Sequence, residues 1–192
     1  MEARLGKAPK FLTDEQRETV TSWWLAHRRR ANTPNWDIAC TATIDGRESL
    51  ILVEAKAHSS ELKVKGKRSG NQENHDKIGS AIQQANDGLN AVLPGWALSR
   101  DSHYQLANRF AWSWQIASLG VPVVLVYLGF LRAEEMCDQG EPFADADAWE
   151  SFGKEYSQGI VPGAAWNTQL LIQGTPLQAL LCSIKVDLPK LE

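Results

Sequence analysis

WDIACTATIDGRESLILVEAKAH, residues 36–58, reads as two short strands folded back on one another. The runs Trp36 to Asp45 and Glu48 to His58 are rich in aliphatic and β-branched residues, and Asp45-Gly46 between them is a strong signal for a two-residue turn. With Asp45 and Gly46 at the centre of a type I′ turn, Ile44 faces Arg47 and pairing runs outward from there. Thr41 then meets Leu50, Ala39 meets Leu52, and Asp37 lies opposite Glu54. Directly paired side chains share a face, and strand side chains alternate with period two. Asp37, Glu54 and Lys56 are therefore expected to project together. The opposite face carries Ile38, Cys40, Ala42, Ile51, Val53 and Ala55, nearly all apolar, and is expected to be the buried one. A slip of one residue would turn that set to the polar side, so burial supports the register.

Two carboxylates facing each other across a strand pair repel unless a cation sits between them or one holds a proton. A divalent metal removes that penalty most simply, and Mg²⁺ takes hard oxygen ligands, often one or two carboxylates with water and substrate phosphate. Lys56, two residues past Glu54 on the same face, places an ammonium where it can hold a water and help neutralise a phosphorane-like transition state. The bland alternative for Glu54-Ala55-Lys56 is an exposed cross-strand ion pair.

Asp37 followed by Glu54-Ala55-Lys56 resembles the PD-(D/E)XK nuclease superfamily, also called restriction-endonuclease-like, and the likeness extends over about Thr13 to Leu131 as helix, hairpin, helices and buried strand. The resemblance implies a Mg²⁺- or Mn²⁺-dependent hydrolase of nucleic-acid phosphodiesters, with DNA the expected substrate. It implies Asp37, Glu54 and the backbone carbonyl of Ala55 as metal ligands, and Lys56 as the residue that activates or orients the attacking water. A Glu on the first helix and a Gln on the helix after the lysine strand also belong to the family pattern. Glu18, with Glu15 as second choice, and Gln83 or Gln84 are the candidates here. The sequence departs from the pattern in three respects. Pro34 is not adjacent to Asp37, only a turn separates the first helix from the Asp-bearing strand, and two helices precede the buried strand. A catalytically inactive domain of the same fold, acting as a binding or assembly module, is the alternative.

Outward from the hairpin, Thr13 N-caps a first helix expected to reach about Arg29, with Gln16 completing a capping box and Asp14 and Glu15 in the first turn. The cluster His27 to Arg30 is read as complementing that helix's dipole. Ser59 to Asn74 is polar and Lys-rich, and is expected to be an exposed, mobile loop. Its Lys63, Lys65, Lys67 and Arg68 are either a solvated face or contacts to a phosphate backbone. His58 and His75 bracket it and are read as solvated. Apolar spacing predicts helices over His75 to Val92 and about Ser102 to Ser118, the second with Leu106, Phe110, Ala111 and Trp114 inward. Val121 to Leu131 reads as a strand buried on both faces. The segment from Arg132 to Ser157 is acidic and loop-like, with a short helix near Trp149. Thr168 to Gly174 and Leu177 to Asp187 are either a second hairpin or a strand followed by a helix.

These elements define an α/β fold: a restriction-endonuclease-like core over residues 13–131, a mixed central sheet flanked by helices, and an acidic excursion with a β-rich C-terminal extension over 132–192. The chain has 192 residues, the length of a single domain, and is 43% hydrophobic and 22% charged, within the globular range. The net charge of −3 excludes a bulk polycation, so binding to nucleic acid must rest on a local basic patch. Three widely spaced Cys, without a CxxC pair, argue against a disulfide framework and a zinc site. Eight Trp point to core and interface anchoring, with Trp36, Trp23, Trp24, Trp112 and Trp114 read as packing residues and Cys40 as inert. No signal peptide and no membrane span are evident, so the chain is read as cytoplasmic, with a homo-oligomer left open.

Overall fold

The hairpin forms in the expected register. In a computed structural model describing residues 3–5, 11–29, 31–67 and 70–185, β1 (Ile38–Ile44) and β2 (Arg47–Lys56) pair antiparallel, with Ile44 opposite Arg47, Thr41 opposite Leu50 and Ala39 opposite Leu52. Asp45 and Gly46 both adopt positive φ, 50° and 74°, as a type I′ turn requires.

The hairpin is one edge of a five-stranded mixed sheet ordered β1-β2-β3-β5-β4. Strand β3 (Val123–Leu131) runs parallel to β2, and β5 (Thr175–Lys185) runs parallel to β3. Strand β4 (Gln169–Ile172) closes the far edge antiparallel to β5. The second hairpin is thus the observed form of the C-terminal region. Because β5 pairs along the whole of β3, that region is part of the central sheet.

Among the described residues four α-helices accompany the sheet: α1 (Asp14–Trp24), α2 (Gln72–Asn90), α3 (Tyr104–Ser118) and α4 (Ala146–Ser157). The Thr13–Gln16 capping box starts α1 as expected, but the helix stops at Trp24, short of Arg29. The side-chain amide of Asn74 accepts from the backbone N–H of His27 and donates to its carbonyl, both at 2.8 Å, which holds the chain out of helical geometry. His27, Arg28 and Arg29 of the basic cluster therefore lie beyond the helix, and Arg30 lies outside the described residues. His27 pairs with Glu73, and Arg28 with Glu18.

Helix α3 packs against β3, β4 and β5 on one side and against α1 and α2 on the other. Its residues 106–117 are all buried. This explains why an inner stripe of four apolar residues understated its burial: the helix is enclosed all round, like a central element rather than a surface one. Aromatic rings fill the joints. Trp24 meets Trp112 edge-on at 5.9 Å, and Phe110 stacks over Tyr127 at 6.5 Å.

Helix α4 lies on the same side of the sheet as α3. A Cβ at Gly129 would stand 2.5 Å from the Trp149 ring, and Gly129 shares its face of β3 with Tyr127. Two expectations are corrected by this one-sided arrangement. Burial of β3 alternates strictly from Val123 to Gly129, so the strand is covered on one face and not on both. On the hairpin, the helix-covered face is the one bearing Leu50, Leu52, Glu54 and Lys56, all buried. The apolar face of Ile38, Cys40, Ala42, Ile51, Val53 and Ala55 points away from the helices; of these only Val53 is buried, and the continuous core includes none of them. The reason is visible in β2, which is apolar on both faces, so pattern alone could not say which face the helices cover.

The positive φ of Gly46 generates a first prediction. Gly46→Ala meets no atom within 4 Å, so its cost is purely conformational. It is expected to destabilise the fold by about 1 kcal/mol, read as a lower urea midpoint with an unchanged denaturant slope.

Candidate functional site

The last pairing of the β1–β2 ladder is Ile38 with Val53, and Asp37 bends out of it. The Asp37 N–H still donates to the Val53 carbonyl at 3.1 Å, while its Oδ2 accepts the Ala55 N–H at 2.7 Å. A carboxylate thus takes the place of the next β1 carbonyl. Asp37 is exposed at the rim, running along the edge of β2, and does not stand on the face squarely opposite Glu54.

Glu54 is 2% exposed, and four donor contacts converge on it. Its Oε1 accepts from Lys56 Nζ and from Gln105 Nε2, the latter at 2.6 Å. Its Oε2 accepts from Arg109 Nε at 2.7 Å and Arg109 Nη2 at 2.6 Å. Lys56 and Arg109 are themselves buried. Arg109 is fixed further by donating from Nη1 to Asn108 Oδ1 at 2.6 Å and by lying 4.6 Å over the Trp36 ring. Charges withdrawn from water persist only when paired and hydrogen-bonded, and Glu54 meets that condition fully.

These groups border an open cavity of about 540 Å³ whose walls include Asp37, Glu54, Ala55 and Lys56 from the hairpin, Glu61 and Lys67 from the following loop, and Tyr104, Gln105, Asn108 and Arg109 from α3. Residues 32–35 complete the rim. Two acids and two bases of this lining, Asp37 and Glu54 with Lys56 and Arg109, cancel in charge.

Burial raises the pKa of Asp37 above the ordinary aspartate value; the Ala55 N–H opposes that shift, the Glu54 charge adds to it, and Lys56 and Arg109 offset it. Asp37 is exposed by surface area, so the desolvation comes from dense protein beneath the rim rather than from enclosure. Burial lowers the pKa of Lys67. It pushes that of Tyr156, whose hydroxyl donates to the Lys63 carbonyl at 3.2 Å, up to about 12.

The sequence-derived candidates divide clearly. Asp37, Glu54, Ala55, Lys56 and Lys67 are brought together. Lys63 and Lys65 are exposed on the adjoining loop, and Arg68 lies outside the described residues. That loop is not free. Lys67 N–H donates to Arg100 O at 2.9 Å, Tyr104 N–H donates to Lys65 O at 3.1 Å, and Lys67 Nζ sits 5.1 Å over the Tyr104 ring. His58, read as solvated, is buried, with Nδ1 2.8 Å from Ser60 Oγ. Glu18 is engaged with Arg28 on the surface and does not reach the cavity, nor does Glu15. Gln83 donates to Asp87 at 2.8 Å and Gln84 accepts from Trp23 Nε1 at 2.6 Å. Both Gln line a different, larger hollow of about 800 Å³ beside Arg100.

The glutamine that does reach Glu54 is Gln105, on the next helix. Its neighbours Asn108 and Arg109 were also missed. The available signal was polarity in the wrong place: Asn108, Arg109, Ser113 and Gln115 interrupt the otherwise apolar stretch 106–117, and buried polar residues need a partner.

No protein-family model, curated protein or solved structure matches this chain. No helix among the described residues is long and apolar enough to cross a membrane.

The site yields two predictions. Arg109→Ala leaves Glu54 buried with one cation fewer and is expected to cost about 3–5 kcal/mol. A Glu54→Gln/Arg109→Gln double variant should lose markedly less than the sum of its singles in denaturant titration. Asp37→Asn preserves an acceptor for the Ala55 N–H and removes the cost of ionising a group whose folded pKa is raised. For such an acid, stability falls as pH rises through the ordinary aspartate range. The variant is therefore expected to melt above wild type at pH 7, with the difference closing as pH drops below that range.

Proposed function

We propose that the cavity is a PD-(D/E)XK-type site for Mg²⁺- or Mn²⁺-dependent hydrolysis of a nucleic-acid phosphodiester, with DNA as the substrate. The observation that carries this reading is that Asp37, Glu54 and Lys56, which the hairpin register singles out, and Ala55, which the family resemblance implies, border one open cavity together with a glutamine from a later helix. The parallel placement of β3 against the Glu54-Ala55-Lys56 strand supports it as well.

The donor set is the kind a hard divalent cation takes: two carboxylates and a backbone carbonyl. Among the described residues no three His, Cys, Asp or Glu side chains converge, so the two acids must suffice, with water and phosphate oxygens filling the rest. Glu54 already holds Arg109, and ligation by Glu54 requires it to exchange that partner. Such an exchange does not strand the guanidinium, because Asn108 and the Trp36 ring still hold it. The residues thus fit the ion, with Asp37, Glu54 and the Ala55 carbonyl as its ligands. When bound, the ion supplies Lewis acidity and a water of lowered pKa. Lys56 sits beside Glu54 and orients the attacking water through its ammonium. Arg109, once released, is a donor for a phosphate oxygen. Lys67, with Lys63 and Lys65 on the exposed loop, supplies the local basic surface that a chain of net charge −3 needs to hold a polyanion.

One observation favours a second reading, a non-catalytic binding or assembly module: the site's charges are already balanced and every Glu54 oxygen is engaged. Calorimetric titration with Mn²⁺ separates the two. Site-specific binding that Asp37→Ala abolishes and Arg109→Gln tightens is expected for the hydrolase. No binding by either wild type or Arg109→Gln supports the module. In plasmid nicking with Mg²⁺, wild type should cut, while Asp37→Ala and Lys56→Gln should lose at least about 10²-fold in rate. Equal cutting by all three would mark contamination.

A further inference from the structure

We propose that the helix-free face of the sheet is a homodimer interface, on which a second copy of this chain packs sheet to sheet. This inference stands apart from the hydrolase reading and uses a different surface.

The face is formed by alternate residues of the four longest strands, from Ile38 to Ile44, Arg47 to Ala55, Val124 to Phe130 and Pro176 to Ile184, brought into line by the register. Val126 and Leu128 occupy its centre on β3, flanked by Val53 and Leu180. At its margins Ile38 is 50% exposed and Ile184 47% exposed, with Leu171 on β4 at 54%. Apart from Arg47, Ser49 and Gln178, the side chains of these four runs on this face are apolar or Cys. They lie outside the continuous core, and of the apolar ones only Val53 is buried, the rest being half-buried or exposed. A monomer rarely leaves so large a contiguous apolar patch to water.

Two properties select a second copy as the occupant. A two-fold contact sets a surface against itself, which is penalised wherever like charges meet; among the described strand residues of this face the one charge is Arg47, beside the hairpin turn, where a contact centred on Val126 leaves it at the rim. Sheets pack aligned when both carry the same twist, and a second copy supplies an identical twist and corrugation. The size also suffices. Four strands at ~4.8 Å spacing and seven to nine residues at ~3.3 Å each give a projected area of about 500 Å² per copy. Two copies then bury on the order of 1,000 Å² before side-chain relief is counted, which reaches the lower bound for a specific interface. The cavity at Asp37 and Glu54 borders α3 on the other side of the sheet, so pairing leaves both sites open.

The test is sedimentation equilibrium of the full chain across a dilution series, with Val126→Lys and, separately, Leu180→Lys. Wild type is expected at twice the chain mass. Each lysine enters the interface twice and should raise the dissociation constant on the order of a hundredfold or more, with the far-ultraviolet circular dichroism unchanged. Wild type at the chain mass throughout, or a folded lysine variant that still dimerises, overturns the proposal. Should both variants fail to fold, maleimide labelling of wild type decides. Cys40 and Cys182 lie on this face, whereas Cys137 is exposed elsewhere. Labelling of the first two relative to Cys137 should slow as protein concentration rises, and labelling independent of concentration refutes the dimer.

Discussion

A single carboxylate organises this protein's polar interior. Glu54 sits at the base of the cavity with Lys56, Gln105 and Arg109 all donating to it. A bare buried carboxylate would be untenable, and a bare buried guanidinium equally so. The hairpin therefore cannot dock on α3 in any other relation without stranding one of them. Hydrophobic burial of Leu50 and Leu52 supplies attraction between sheet and helix but little positional selectivity. The ion cluster fixes the register between them, and Trp36 beneath Arg109 extends that constraint to the strand leading into β1.

The same cluster shows how stability and chemistry compete for one set of residues. As arranged, Glu54 serves the fold. For Glu54 to serve as a ligand, part of that satisfaction must be exchanged, and Asn108 provides Arg109 with somewhere to remain. Asp37 has the opposite character. It lies at the rim, satisfies one backbone N–H, and is held by its surroundings at a pKa above its ordinary value. Of the two acids it is the one that the fold can spare, which makes it the cleaner probe of function.

How much of this was legible from the amino-acid sequence depended on the range of the deciding interaction. The hairpin register followed from Asp45-Gly46 because turn geometry is local. The capping box at Thr13 was legible for the same reason. The end of α1 was not, since Asn74, about fifty residues away in the chain, holds His27 out of the helix. The choice of covered face failed because β2 offers aliphatic side chains on both, and only the position of α3 decides between them. Gln83 and Gln84 were reasonable by chain order but lie on α2, which packs behind α3 and never reaches the cavity. Gln105 and Arg109 could be placed only once α3 was seen to lie directly on the sheet.

The enclosure of α3 on all sides has a further consequence. A helix wedged between a sheet and two other helices cannot slide or rotate to suit a new ligand without repacking both neighbours at once. The backbone from which it presents side chains to the cavity is thus fixed in place, and any backbone accommodation must come from the rim. Residues 32–35, with Glu61 and Lys67, are the parts of the wall outside strands and α-helices, and the loop bearing Lys67 is anchored by Arg100 and Tyr104 at its far end. Changes in what the pocket admits over evolution would then accumulate in these short stretches while the floor stays constant.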